Sequence, residues 1–274
     1  MSSSPFPTVA FFGATGGITN ATLVHTLLGG YRVAALVRTP DKLRKQLTDQ
    51  GLKESLIAQN LTIVSGNALE VAAVKSTLTA AIFNGRLPSH IVTGLGGTPH
   101  MQLDWKNPGH VITLDNPTLC GTAAAALVTA LEELYAERPH LAADKPLLTF
   151  VSTTGISRGP EDVPLGMRLF YHQALAIPHV DKRKMEEIFR SDATKPKSKS
   201  VFRNVIGIRP AFLAGTPAYT DANGLAKVKY GVENNPAVGY SIKRADAGHW
   251  IFHYVIEPAT RKTELEGEMV TLTY

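Results

Sequence analysis

The chain has one cysteine, Cys120, among 274 residues, so it has no internal disulfide, and the apolar stretch around that thiol marks it as a packed structural group rather than a nucleophile. Its opening, Met1 to Pro7, shows no basic residue followed by an apolar core and is not read as a secretory signal. No apolar run looks long enough to span a membrane, and there is no repeat, heptad or low-complexity tract. These absences lead to the expectation of a soluble, cytoplasmic protein without a membrane partner. His249 and His253 stand four apart, but no glutamate sits in the catalytic place between them and no third ligand is near, so no metal is expected. Much of the net charge of +5 lies between Lys182 and Arg203, and its basic segment Ser191 to Ser200 lacks interleaved aromatics and reads as a solvated loop, so nucleic acid is not expected as a partner either. The sequence leaves the oligomeric state open.

What is present is a chain with 44% apolar residues, enough to bury one sizeable core, and it is read as a single domain over 1–274. Its most informative stretch is the apolar run Val9 to Phe12, which breaks into Gly13-Ala14-Thr15-Gly16-Gly17-Ile18 and then into helical apolar spacing from Thr19 to Leu28. A strand, a tight turn and a helix are predicted. Gly13 is free to take a positive φ, Gly16 lets a pyrophosphate approach the backbone, and the helix start offers N–H groups to that anion. The implied ligand is a dinucleotide, although the third glycine of the usual spacing is replaced by Thr19.

The context supports the same ligand. Tyr31 to Val37 reads as a second strand, and where a ribose-binding acid would follow, the sequence has Arg38, which favours a 2′-phosphate and hence NADP(H). Further strands are expected at Leu61 to Asn67, His90 to Gly97, Pro146 to Val151 and Asn204 to Arg209, and a last one from Gly267 to Tyr274 at the sheet edge. Between them, Thr118 to Leu131 is a small-residue helix that is expected to end in a charged turn at Glu132 and Glu133. The alternation implies right-handed crossovers and an α/β, Rossmann-type, doubly wound parallel sheet. Ser152, Thr153 and Thr154 arrive at the carboxyl end of a strand, where such sheets place ligands. Elements after residue 210 are expected to cover the substrate, with Phe212, Tyr219, Tyr230 and Tyr240 as pocket candidates and Asp246 as the N-cap of a helix.

Along nearly its whole length the sequence resembles the short-chain dehydrogenase/reductase superfamily, in its atypical branch of NmrA-like and NAD(P)H-binding proteins. The residues that carry the resemblance are Gly13 to Gly17, Val37-Arg38, Gly66-Asn67, Val151 to Thr154, Asp181 to Glu186, Ile208-Arg209-Pro210 and Lys243 to Ala247. It implies cofactor contacts at Gly13, Thr15, Gly16, Gly17, Ile18, Arg38, Asn67, Gly94 and Lys182. It also directs attention to Ser152, Thr153, Tyr171 and Lys182 for catalysis. The family pairs a tyrosine with a lysine four residues later, so that the ammonium lowers the phenol pKa. Matching Lys182 to that lysine puts Pro178 at the tyrosine position, which leaves Tyr171 or His179 as the acid, or a substrate activated without one. Three readings remain: an NADP(H)-dependent oxidoreductase acting on a carbonyl, alcohol or enone of a small, largely apolar molecule; a redox-neutral isomerase or cyclase that retains the cofactor; and a non-catalytic NADP-sensing regulator.

Overall fold

The computed structural model describes residues 8–97, 99–101 and 112–274. The opening Met1 to Pro7, on which the signal reading rests, lies outside the described residues. In chain order the elements are β1 (Thr8–Phe12), α1 (Gly17–Leu28), β2 (Arg32–Val37), α2 (Pro40–Asp49), α3 (Glu54–Asn60), β3 (Leu61–Ser65), α4 (Val71–Ala80), β4 (His90–Thr93), β5 (Pro99–Met101), β6 (Ile112–Leu114) and α5 (Leu119–Glu137). They continue with β7 (Leu147–Val151), α6 (Ala176–Thr194), β8 (Asn204–Pro210), β9 (Phe212–Ala214), β10 (Lys229–Val232), β11 (Ser241–Lys243), α7 (Arg244–Ile251) and β12 (Met269–Thr273).

The inner strands read as unbroken apolar runs because both faces of the sheet are covered. In β1, Val9 and Phe11 point into a core shared with Leu23 and Leu27 of α1 and Trp250 and Ile251 of α7. Ala10 and Phe12 point the other way, against Val74 and Leu78 of α4 and Leu127 and Leu131 of α5. The period of two along the strand thus divides one short run between two cores.

The eight strands of the main sheet run in the order β10-β12-β8-β7-β4-β1-β2-β3. All pairings are parallel except that of β10 with β12. The chain builds outward from β1 through β2 to β3, then returns to place β4 on β1's other side. That reversal opens a crevice at the carboxyl ends of β1 and β4, where open parallel sheets bind ligands. Gly13 follows β1 with φ +81°, and a Cβ on it would stand 2.9 Å from the Gly94 carbonyl oxygen. Close approach of the two loops therefore requires glycine there.

Four expectations are corrected. The strand near the C-terminus, β12, is not the sheet edge, because β10, formed within a stretch that reads as irregular, pairs outside it. α5 does not stop at Glu132 and Glu133 but runs on to Glu137, since Leu131 and Leu134 keep its apolar face buried while Glu133 and Glu137 pair outward with Lys75. By length and composition this same helix is long and apolar enough to cross a membrane, contrary to the reading of the sequence; half of its apolar stretch is buried in the protein. Finally, α7 begins at Arg244 with Lys243 as its N-cap. Asp246, fully buried in the first turn, instead accepts hydrogen bonds from the N–H groups of Asn223 and Gly224 at 2.7 and 2.8 Å and from the Tyr274 hydroxyl.

Candidate cofactor cleft and active site

At the crevice lies a cavity of about 330 Å³, lined among others by Gly13, Thr15, Arg38, Asn67, Leu95 and Gly96. Four of the residues singled out in the sequence thus meet at one site although they come from three different strand ends. Arg38 leaves β2 exposed to solvent and, among the described residues, takes part in no ion pair. Asn67 spends its side-chain oxygen on the Leu69 N–H at 3.2 Å, a turn contact, and keeps its amide N–H groups.

The glycine turn is stiffened from within. The Gly16 N–H donates to the Gly13 carbonyl at 2.9 Å, and the buried Asn20 side chain donates to the Ala14 carbonyl at 2.9 Å while accepting from Gln50. α1 starts at Gly17 with no side-chain cap and no acidic residue in its first turn, which leaves its N-terminal N–H groups to an outside acceptor. Ile18 buries its side chain in the core, so only its backbone faces the turn. Gly94 serves protein packing: a Cβ there would lie 1.9 Å from the Thr19 hydroxyl oxygen. That contact also accounts for threonine in place of the third glycine.

Lys182 sits in α6 next to Asp181, a residue whose role the sequence did not reveal. The buried Asp181 carboxylate accepts the N–H groups of Cys120 and Gly121 at 2.7 and 2.8 Å, capping α5 and locking it to α6. Lys182 Nζ donates to the carbonyls of Leu95 and Val151, both at 2.9 Å, and so bridges the ends of β4 and β7. Two of the three ammonium protons are thereby used, and the ammonium also lies beside the Cys120 thiol. Cys120 packs beneath, its thiol pushed up by burial and donating to the Leu95 carbonyl, as a structural cysteine should.

At the end of β7 the candidate catalytic residues separate by role. Ser152 is buried, and its hydroxyl oxygen has no hydrogen-bond partner among the described residues. The Thr153 hydroxyl donates to the carbonyl of Thr154 at 3.1 Å. Gly155 takes φ +84°, and a Cβ there would lie 2.8 Å from the Tyr171 ring and 2.9 Å from the His179 ring. Around this glycine Tyr171, His179 and Asp162 form a buried cluster, with Asp162 accepting the Gly155 N–H at 2.7 Å. Among the described residues, His179 Nε2 and Asp162 Oδ2 lack partners. Burial holds His179 neutral, with its pKa lowered to about 4, assisted by the charges of Arg183 and His172. Burial also raises Asp162 against the pull of the Gly155 N–H and Arg209, and raises the Tyr171 phenol against a hydrogen bond with Thr154. Pro178 occupies the first turn of α6, and Tyr171 lies on a preceding π-helical turn, Phe170–Ala174, of a kind frequent at functional sites.

The aromatic pocket expected from Phe212, Tyr219, Tyr230 and Tyr240 does not assemble. Tyr219 packs edge-on against His25, Tyr230 lies against Trp250, Tyr240 projects outward, and Phe212 sits by Phe170. The four lie near one another in sequence, but Phe212 stands on β9, Tyr230 on β10, and Tyr219 and Tyr240 outside the strands, so the fold carries them to different places.

No protein-family model matches the chain. It is 42% identical to Reductase pytE of Aspergillus terreus over 273 residues, covering 99% of this chain and all of that one. It is 38% identical to Oxidase pynE of Aspergillus niger, covering 91% and 93% of the two chains. Among solved structures, ChuY, an anaerobillin reductase from Escherichia coli O157:H7, superposes with a TM-score of 0.59 at 16% identity over 97% of this chain and 96% of that one. The oxidoreductase ylbE from Lactococcus lactis gives 0.59 at 13% identity over 97% and 90%. These two likenesses show the shared fold.

Proposed function

Since the chain belongs to the atypical short-chain dehydrogenase/reductase family, together with the fungal reductase and oxidase it is similar to, we propose that it is an NADP(H)-dependent oxidoreductase. Its substrate is a carbonyl, alcohol or enone of a small, largely apolar molecule. The observation that carries the cofactor reading is Arg38, a guanidinium without an ion-pair partner among the described residues, on the rim of the cavity that Gly13, Thr15 and Asn67 also line. The residues present fit a dinucleotide: a glycine turn too tight for side chains, an uncapped helix start, and a free cation where β2 ends.

When bound, the nicotinamide supplies or accepts the hydride. Gly13, Thr15, Gly16, Gly17 and Ile18 offer the turn and its backbone N–H groups to the pyrophosphate, Asn67 offers its amide to the adenine, and Arg38 pairs with the 2′-phosphate. Lys182 is assigned to a ribose hydroxyl, as the family resemblance implies. Ser152 donates a hydrogen bond to the substrate oxygen, polarising it, and it takes this role ahead of Thr153, whose hydroxyl is already bonded. Tyr171, within the Gly155 cluster, is the proton source.

Replacing Arg38 with Asp tests the assignment. NADPH affinity is expected to fall by roughly 1.5–3 kcal/mol, the strength of a charge-assisted pair, or about 10- to 150-fold, with NADH affinity unchanged. Fluorescence titration that finds both dinucleotides equally affected would remove the 2′-phosphate contact. Pro178 at the family's tyrosine position favours a second reading, redox-neutral isomerisation with retained cofactor; a product equal in mass to the substrate, without net NADPH consumption, marks that case.

A further inference from the structure

Arg244 packs directly on the glycine turn, at the opposite end of the sequence from it. Were Gly17 to carry a Cβ, that atom would stand 2.3 Å from Arg244 Cδ, so the missing side chain at Gly17 is the space the arginine fills. The placement follows from helix packing. Gly248, one turn after Arg244, lets α7 press against α1: a Cβ there would lie 2.5 Å from the Ala21 Cβ and 2.7 Å from the Ile18 carbonyl oxygen. The Thr22 hydroxyl also lies 3.2 Å from the Gly248 carbonyl. Gly17 with Ala21, and Arg244 with Gly248, are each four apart on their helices, so the two helices run in register and set Arg244 over the first residue of α1.

The guanidinium is tethered but not neutralised. Its NH1 donates to the carbonyls of Ala214 and Gly215 at 3.1 and 2.8 Å. Among the described residues it has no carboxylate partner, and its Nε and NH2 donors take no acceptor. A half-buried arginine tethered at one nitrogen, with the rest of its fork free and an uncapped glycine turn beneath it, is suited to a planar, bidentate contact with an anion.

We propose that Arg244 binds the pyrophosphate of the dinucleotide, closing over the glycine turn from the C-terminal region. The inference rests on the cofactor reading above. It makes this contact indifferent to the 2′-phosphate, unlike that of Arg38. It also makes the Ala214–Gly215 segment, which leads into the loops beyond β9, part of what holds the arginine in place.

The test is Arg244→Gln, read by equilibrium titration with three probes, NADPH, NADH and adenosine 2′-monophosphate, and by the thermal midpoint. Arg244 as a pyrophosphate ligand predicts that NADPH and NADH both weaken about tenfold or more, with adenosine 2′-monophosphate, which lacks the pyrophosphate, bound as by the parent. Arg244→Lys should recover part of the loss, as a point charge without the fork. Unchanged dinucleotide affinity overturns the inference, and so does an equal loss for all three probes, which would make Arg244 only a clamp shaping the fold. If the parent protein binds neither dinucleotide, the cofactor reading itself has failed.

Discussion

Arg209→Leu is expected to destabilise the protein by about 3–5 kcal/mol, the cost of leaving a buried charge without its partner. Arg209 lies fully buried on β8. Its Nε and NH2 donate to the two carboxylate oxygens of Glu186 on α6 at 2.9 and 2.6 Å, and NH2 also reaches Glu233 at 3.0 Å. Glu233 keeps Arg190 as a second partner, but the buried Glu186 has no other ion pair among the described residues. The double variant Arg209→Leu with Glu186→Leu is expected to regain most of the loss, because the penalty comes from the orphaned carboxylate rather than from the missing attraction. Urea unfolding of the single and double variants measures both; a single variant as stable as the parent would mean that the pair does not tie α6 to the sheet.

Ser152→Ala is expected to lower kcat by about 10²–10³, the usual consequence of removing one hydrogen-bond donor to a reacting oxygen. NADPH affinity and thermal midpoint should stay at the parent's values. The separation follows from the structure, since the Ser152 hydroxyl has no partner among the described residues and its removal breaks no bond within the fold. If the hydroxyl served only the turn at the end of β7, the variant would keep its activity. Steady-state kinetics beside a melting curve distinguishes the two.

The frame of the molecule was legible because it rests on short-range regularities. The apolar run of β1 and the break into Gly13 to Gly17 are local, and so is the absence of an acid at Arg38. From these alone the order of strand, turn and helix and the position of the cleft follow. What could not be read depends on partners far along the chain. Asp181 caps an α5 start about sixty residues earlier. Arg244 reaches across to Gly17, and Asp162 meets Tyr171 and His179 only because the chain folds back around Gly155. A lone aspartate or arginine in a sequence carries no sign of such a partner. The aromatic residues after residue 210 failed for the opposite reason: apolar side chains in neighbouring loops look like one pocket until strand pairing sends them apart. Threonine in place of the third glycine, which counts against the motif by spacing alone, is explained by its contact with Gly94.

The cofactor claim is tested most directly by titrating the purified protein with NADPH and NADH side by side and following nicotinamide fluorescence. Tight NADPH binding, with NADH weaker by tenfold or more, is the expected result, because only NADPH carries the 2′-phosphate that we propose Arg38 pairs with. Equal affinities would contradict the role given to Arg38, and no binding of either dinucleotide would contradict the account as a whole.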